Sequence, residues 1–154
     1  VSLGNTFDSV KASLGQPTKE TSRGITYGGV TFGNLKMDGV GPIVTYMMIE
    51  NREQEIVGVI DLVNFDPKHQ RAEMGIIIMK PFRQKGYAQA AISALIDYTR
   101  NGLHLKQIYA VVDVDNEVSI RCLSSIGFTN GSILKEWLYC DGQYKDARVM
   151  QLFI

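Results

Sequence analysis

Residues 74 to 91 read MGIIIMKPFRQKGYAQAA and hold the densest chemistry of the chain. An apolar strand stops at Pro81, a short loop carries Arg83, Gln84, Lys85 and Gly86, and a helix opens at once. The first N–H groups of a helix have no partner within it and carry partial positive charge. A glycine at that point lets the backbone approach a ligand closely. Together these features make a cradle for an anion, suited to a pyrophosphate. Arg83 and Lys85 add positive charge at its rim. The plainer alternative is a strand-to-helix turn with solvated basic residues. A nucleoside-triphosphate loop is disfavoured, because Gly86-Tyr87-Ala88 lacks the second glycine and the lysine–hydroxyl pair that such a loop needs. A dinucleotide fingerprint also fails, with one of its glycines present.

Two acids, Asp61 and Glu73, interrupt otherwise apolar strands. A charge in such a place is tolerated only with a partner or water. Each can also be read as a solvated strand carboxylate. His69 lies between Lys68 and Arg71 in a loop and reads as a surface residue, while Trp137 and Tyr144 read as hairpin packing. Cys122 and Cys140 have no metal-type spacing and read as free thiols. No metal is expected.

These residues need a scaffold, and the hydrophobic pattern supplies one. Thr6–Leu14 has helical spacing, with Asn5 or Thr6 as N-cap and Gly15 and Pro17 as stop signals. Ile25–Leu35 is rich in β-formers and broken by Gly28, Gly29 and Gly33, as one bent strand or a tight hairpin. Residues 38–42 read as a loop. Strands follow at Ile43–Glu50, Ile56–Phe65 and Arg71–Met79. In the last of these, Ile76 to Met79 form a continuous apolar run, as in a strand covered on both faces. Gln84–Arg100 is the longest helix, with Ala88, Ala91, Ile92, Leu95 and Ile96 on one face and Gly102 closing it. A strand at Lys106–Val112, a short helix at Asn116–Ser125 ended by Gly127, and two strands, Phe128–Tyr139 and Gln143–Ile154, complete the chain. Cys140-Asp141-Gly142 joins the last pair. The order predicts an α/β (α+β) mixed sheet with at least one parallel crossover.

A chain of 154 residues suits one sizeable core, and its 45% apolar and 21% charged residues are ordinary for a globular protein. Sixteen basic residues balance sixteen acidic ones, so net charge offers no argument for nucleic acid or an anionic membrane. No apolar run approaches a membrane span. The N-terminus has no basic region followed by an apolar core, so a cytoplasmic location is expected.

Arg83-Gln84-Lys85-Gly86-Tyr87-Ala88 resembles the coenzyme A pyrophosphate motif of the GNAT family of acetyl-CoA-dependent N-acetyltransferases. Asp113 to Ile120 looks like the second signature of that family, and Gly127-Phe128 matches its Gly-Phe. Val57–Leu62, His69–Glu73, Trp137 and Gly142–Asp146 are similar to the ribosomal-protein-alanine and spermidine acetyltransferase branch. The resemblance covers about residues 43–154 and leaves 1–42 as an unmatched, atypical N-terminal segment.

The resemblance implies a GNAT fold whose parallel strands Arg71–Met79 and Lys106–Val112 splay apart, with flanking helices. It implies acetyl-CoA as cosubstrate. The N–H groups of Gln84, Lys85, Gly86, Tyr87 and Ala88 would hold the pyrophosphate, with Arg83 beside them. Ile77, Ile78 and Met79 would pair with the pantetheine arm as an added strand does. An N–H near Ile77 or Ile78 would polarise the thioester carbonyl, and Asn116 and Ser119 would contact the cofactor from the other wall. Direct attack needs a neutral amine, so Glu73 is the candidate to remove its proton, alone or through water. Asp61 is the candidate to attract a cationic acceptor.

Leu123 stands where many members of the family place a proton-donating tyrosine, four residues before the Gly-Phe. The expected function is acetyl transfer to a primary amine, on a small polyamine-like molecule or a protein N-terminus. The alternative is a weak or inactive scaffold serving as a coenzyme A-binding or interaction module. Expected partners are acetyl-CoA, an amine acceptor and, as an option, a second copy in a homodimer. Neither nucleic acid nor membrane is expected.

Overall fold

In the computed structural model the described residues are 45–154 and three earlier strands, β1 (Lys19–Thr21), β2 (Gly24–Tyr27) and β3 (Val30–Phe32). The helix expected over Thr6–Leu14 and the loop at 38–42 lie outside them. The open choice at Ile25–Leu35 resolves to two antiparallel strands, with Tyr27 opposite Val30. The chain continues through β4 (Thr45–Glu50), β5 (Ile56–Asp66), β6 (Arg71–Ile78), α1 (Tyr87–Asn101), β7 (Gln107–Asp113), α2 (Glu117–Ile126), β8 (Thr129–Cys140) and β9 (Gln143–Phe153). All strands join one sheet in the order β1-β2-β3-β4-β5-β6-β7-β9-β8. Among the described strands only β6 and β7 are parallel, linked by the α1 crossover.

One face of the sheet carries the core. Met47, Ile60, Ala72, Met74, Ile108 and Met150 are buried there, and α1 adds Ala91, Ile92, Leu95 and Tyr98. Each large side chain so buried contributes about 1.5–3 kcal/mol relative to exposure. Of the expected stripe on α1, Ala91, Ile92 and Leu95 are buried and Ala88 and Ile96 partly so, and the stripe runs on to Tyr98 and Thr99. Thr99 meets the cost of burying a hydroxyl by donating to the Ile96 carbonyl at 2.9 Å.

Two local expectations need correction. The helix starts at Tyr87, not Gln84, because Gln84 (φ 60°) and Gly86 (φ 82°) are left-handed and cannot extend an α-helix. The run Ile76 to Met79 is not covered on both faces by described residues, since Ile77 is 69% exposed and Met79 41%. Strand β6 itself ends at Ile78, and Met79 caps a 3₁₀ turn, Lys80–Phe82, that Pro81 favours.

The hairpin β8–β9 turns through Asp141 (φ 52°) and Gly142 (φ 79°). Positive φ at both positions is the type I′ geometry, whose twist matches that of the flanking strands.

Candidate active site

The sheet registers create the site. Strands β6 and β7 pair at three positions only: Arg71 with Gln107, Ala72 with Ile108, and Glu73 with Tyr109. Beyond these, β6 stays with β5 as far as Ile78, and β7 stays with β9 as far as Asp113. Two neighbours that follow different partners must part. The resulting cleft of about 980 Å³ is walled by Met74–Ile78 and Ala110–Asp113, with the start of α1 and one side of α2 completing it.

Which backbone groups face the gap follows from strand periodicity. The Met79 N–H donates to the Val57 carbonyl at 2.8 Å, toward β5. Backbone groups alternate sides along a strand, so the N–H of Ile77 also turns to β5, and those of Ile76 and Ile78 turn to the gap. Ile78 also receives the Arg83 side chain on its carbonyl, 3.0 Å from Nε. Of the expected pair, Ile78 is therefore the residue whose N–H can meet a carbonyl in the cleft.

The start of α1 leaves backbone donors open. Gly86 precedes α1 with no side-chain cap, and the first helical bond runs from Ala90 N–H to Gly86 O at 3.1 Å. That leaves Tyr87, Ala88 and Gln89 N–H without an intrahelical partner. Gln84, Gly86, Tyr87 and Ala88 line the cleft, as do Arg83, Ile77 and Ile78. Met79 and Lys85 do not. The N–H of Met79 is already taken by β5, and the Lys85 ammonium rests 5.5 Å over the Phe82 ring.

On the opposite wall Asn116 and Ser119 line the cleft. Asn116 also caps α2, its Oδ1 accepting the Ser119 N–H at 3.1 Å. Lys145 of the hairpin reaches Asp113 at 3.2 Å and Asp115 at 3.4 Å, tying β9 to this wall. The Asp113 carboxyl is held below the usual carboxylate range, first by the Asp115 N–H and then by Lys145.

Leu123 faces the cleft and is 4% exposed. Cys122 also lines it, and burial pushes its thiol up from the ordinary range. Leu123 has no proton to give, whereas the raised Cys122 thiol keeps its proton at neutral pH but is a weaker acid than an ordinary thiol. Leu123→Tyr is expected to raise turnover by about tenfold or more, within the range of a restored general acid, while overpacking lowers stability by about 1–3 kcal/mol. Thiol release with parallel thermal melts checks both. Unchanged turnover would mean that leaving-group protonation never limited the rate.

The face of the sheet opposite α1 carries the two acids. Asp61 sits across from Gly75, and Glu73 lies one step along, across from Val63. A side chain at Gly75 would collide with the Asp61 carboxylate, so glycine makes its room. Asp61 Oδ1 is enclosed without a hydrogen-bond partner among the described residues. Burial pushes this carboxyl above the usual range, the Gly75 N–H partly offsets that, and the Glu73 charge adds to it. Glu73 is better provided, with Asn64 Nδ2 donating to its Oε2 at 2.8 Å. Sequence reasoning missed Asn64 and Tyr109. The only signal for the first was a turn-former inside a strand, and an aromatic in an apolar strand gave none for the second. His69 is exposed in its loop, and Trp137 and Tyr144 stand exposed on the hairpin. Among the described residues no cluster of side chains could hold a metal ion, and no helix is long and apolar enough to cross a membrane.

Comparison with known proteins agrees with this geometry. The family model for the acetyltransferase (GNAT) domain matches residues 25–129, starting inside the segment that the sequence motifs left unmatched. The chain is 35% identical over 105 residues to the uncharacterized N-acetyltransferase YoaA of Bacillus subtilis, covering 68% of this chain and 59% of that protein. It is 34% identical over 99 residues to the spermidine N(1)-acetyltransferase of Escherichia coli K12, covering 64% of this chain and 53% of the relative. It thus spans little more than half the length of these relatives. The solved spermidine N-acetyltransferase of Vibrio cholerae, in complex with CoA and spermine, superposes with a TM-score of 0.68 at 27% identity over 71% of this chain and 65% of that one. With a parting parallel pair, a capless helix start behind Gly86, and a family match over most of its length, this chain belongs to the GNAT acetyltransferase domain family.

Proposed function

We propose that this chain transfers an acetyl group from acetyl-CoA to a cationic primary amine by direct attack. The observation that carries the reading is the gap between β6 and β7, with an anion cradle at the start of α1 on one side and two carboxylates on the other face of the sheet. The cradle fits a pyrophosphate, because three helix N–H groups lack partners there and Gly86 puts no side chain in the way. When bound, acetyl-CoA supplies an activated acyl group. In this reading Ile78 N–H polarises the acyl carbonyl, Asp61 draws in the ammonium, and Glu73 removes its proton directly or through one water. Residues 43–154 form the cofactor-binding core. The kinship with spermidine acetyltransferases favours a polyamine-like acceptor over a protein N-terminus. Thiol release from acetyl-CoA across a panel of primary amines tests the whole reading, and no release with any amine sinks it.

Self-association belongs to the same reading. Edge strand β8 and its partner expose Trp137, Tyr139 and Tyr144, and a Vibrio cholerae relative is described as dodecameric. A second copy is the occupant this surface suits.

Asp61→Asn separates recognition from chemistry. The Michaelis constant for a cationic amine is expected to rise about tenfold with turnover largely retained, as for loss of a binding charge. Stability should move the other way. A carboxyl whose pKa is raised on folding destabilises the fold when ionised. That penalty is absent below the ordinary carboxylate range, grows as pH rises toward the raised value, and is full above it. Removing it at neutral pH should raise Tm by about 1–2 °C after allowance for solvent screening. Kinetics and melts at pH 7 check both. A variant with unchanged Michaelis constant would place Asp61 outside the acceptor site.

A further inference from the structure

Glu73 does not stand alone at the point where β6 and β7 part. Strand β5 shifts register between Val63 and Asp66, a β-bulge in which Asn64 adopts φ 50°. Bulges re-aim a side chain, and a left-handed residue that is not glycine carries a backbone cost. Here the bulge brings the Asn64 carboxamide to Glu73 Oε2 at 2.8 Å. On the other side, Tyr109 is the residue opposite Glu73 at the last paired position before the strands separate. The row continues across the sheet, since Gln151 lies opposite Tyr109 and donates to Gln107 Oε1 at 3.0 Å. The Tyr109 hydroxyl is held above the ordinary phenol range, first by burial, then by the Glu73 charge, against a lowering by Arg71. The geometry beside these shifts is the register, which sets Tyr109 next to Glu73 on the same face of the sheet.

We propose that Asn64 and Tyr109 are positioning residues for Glu73, which hold its carboxylate from two sides at the head of the gap. The proposal rests on the reading above, in which Glu73 serves the acceptor. A freely rotating glutamate on an open sheet face would sample several rotamers, few of them within reach of an amine at the gap. The Asn64 donor from β5 and the neighbouring Tyr109 ring on β7 restrict that freedom. The row also gives the bulge with its left-handed asparagine a role.

The test uses two variants that spare the backbone. Tyr109→Phe removes only a hydroxyl. Asn64→Gly removes the carboxamide, and glycine accepts φ 50° without strain. Thiol release from acetyl-CoA would be followed with the best acceptor found in a panel of primary amines that includes spermidine. Each variant is expected to lose about tenfold in kcat, the scale of one hydrogen bond to a charged group, with KM nearly unchanged. In a Glu73→Gln background neither should cost anything more, because groups acting through one residue are not additive. A substrate-free readout accompanies these. With carbon-13-labelled tyrosine, the Tyr109 pKa should fall in Glu73→Gln, as the negative neighbour that raises it is gone. Parental kcat in either variant, losses that multiply with Glu73→Gln, or an unmoved Tyr109 titration would each overturn the positioning role. Glu73→Gln with full activity would instead sink the functional reading itself, and the positioning role with it.

Discussion

Gly86→Asp should weaken acetyl-CoA binding by about 100-fold or more while the protein stays folded, because it sets a carboxylate against the charge-assisted hydrogen bonds of the cradle. Gly86 sits at φ 82° immediately before α1, and nothing of the protein lies within 4 Å of where a Cβ would project. A side chain there would enter open space at a residue that lines the cleft. Aspartate is among the few residues that tolerate the left-handed region, so the backbone cost is about 1 kcal/mol and Tm should drop by only ~2–4 °C. The negative charge, in contrast, faces the same helix N–H groups that a pyrophosphate needs. Gly86→Ala separates the two effects, since it carries the strain without the charge and should bind far better than the aspartate. Thermal shift gives the measurement. At ~100 times its dissociation constant, ligand should add roughly 2.7 kcal/mol to the parent and almost nothing to Gly86→Asp. Equal shifts in both would place the cofactor elsewhere.

Glu73→Gln should lower kcat by about 10²–10⁴-fold near neutral pH, the range for loss of a general base. Glutamine preserves shape and can still accept from Asn64, so the change removes proton affinity with little loss of packing. The defect should shrink as pH rises, because an amine with pKa near 10 supplies more of its neutral form without help. This is the opposite pattern to that of Asp61→Asn, where the Michaelis constant moves and turnover does not. The two acids occupy neighbouring positions on one face of the sheet, and their separate kinetic signatures would distinguish base from recognition charge. Profiles from pH 6 to 9 decide it. If Glu73→Gln tracks the parent across that range, the carboxylate takes no part in proton removal, and the bland reading of a hydrogen-bonded strand acid stands.

Much of this was legible in the residues. Helix α1 announced itself by three- and four-residue steps ending at Gly102, and the β8–β9 hairpin by Asp141-Gly142, since both depend on interactions within a turn or a few residues. The cradle was equally local, as it needs only a strand end, a glycine and a helix start. Its fine structure was not. The positive φ of Gln84 delays α1 to Tyr87, and Arg83 spends its side chain on the Ile78 carbonyl.

The site as a whole belongs to the tertiary structure. A gap between β6 and β7 is a missing pairing, expected here from the family resemblance and not from any periodicity of the residues. It exists because β5 holds one strand and β9 the other past the point of divergence. Ile77 looked like a residue of a doubly covered strand, yet stands exposed, because hydrophobicity records what a residue can bury and not which layer is there to cover it. Asn64 reaches Glu73 through a bulge in β5, and Tyr109 comes to lie opposite it on β7, through a parallel register that only the assembled sheet sets. Sequence by itself determined the elements and the strand–glycine–helix turn, whose physics is short-range. The fold alone decided which distant side chains share a face, because strand register is settled by packing across the whole sheet.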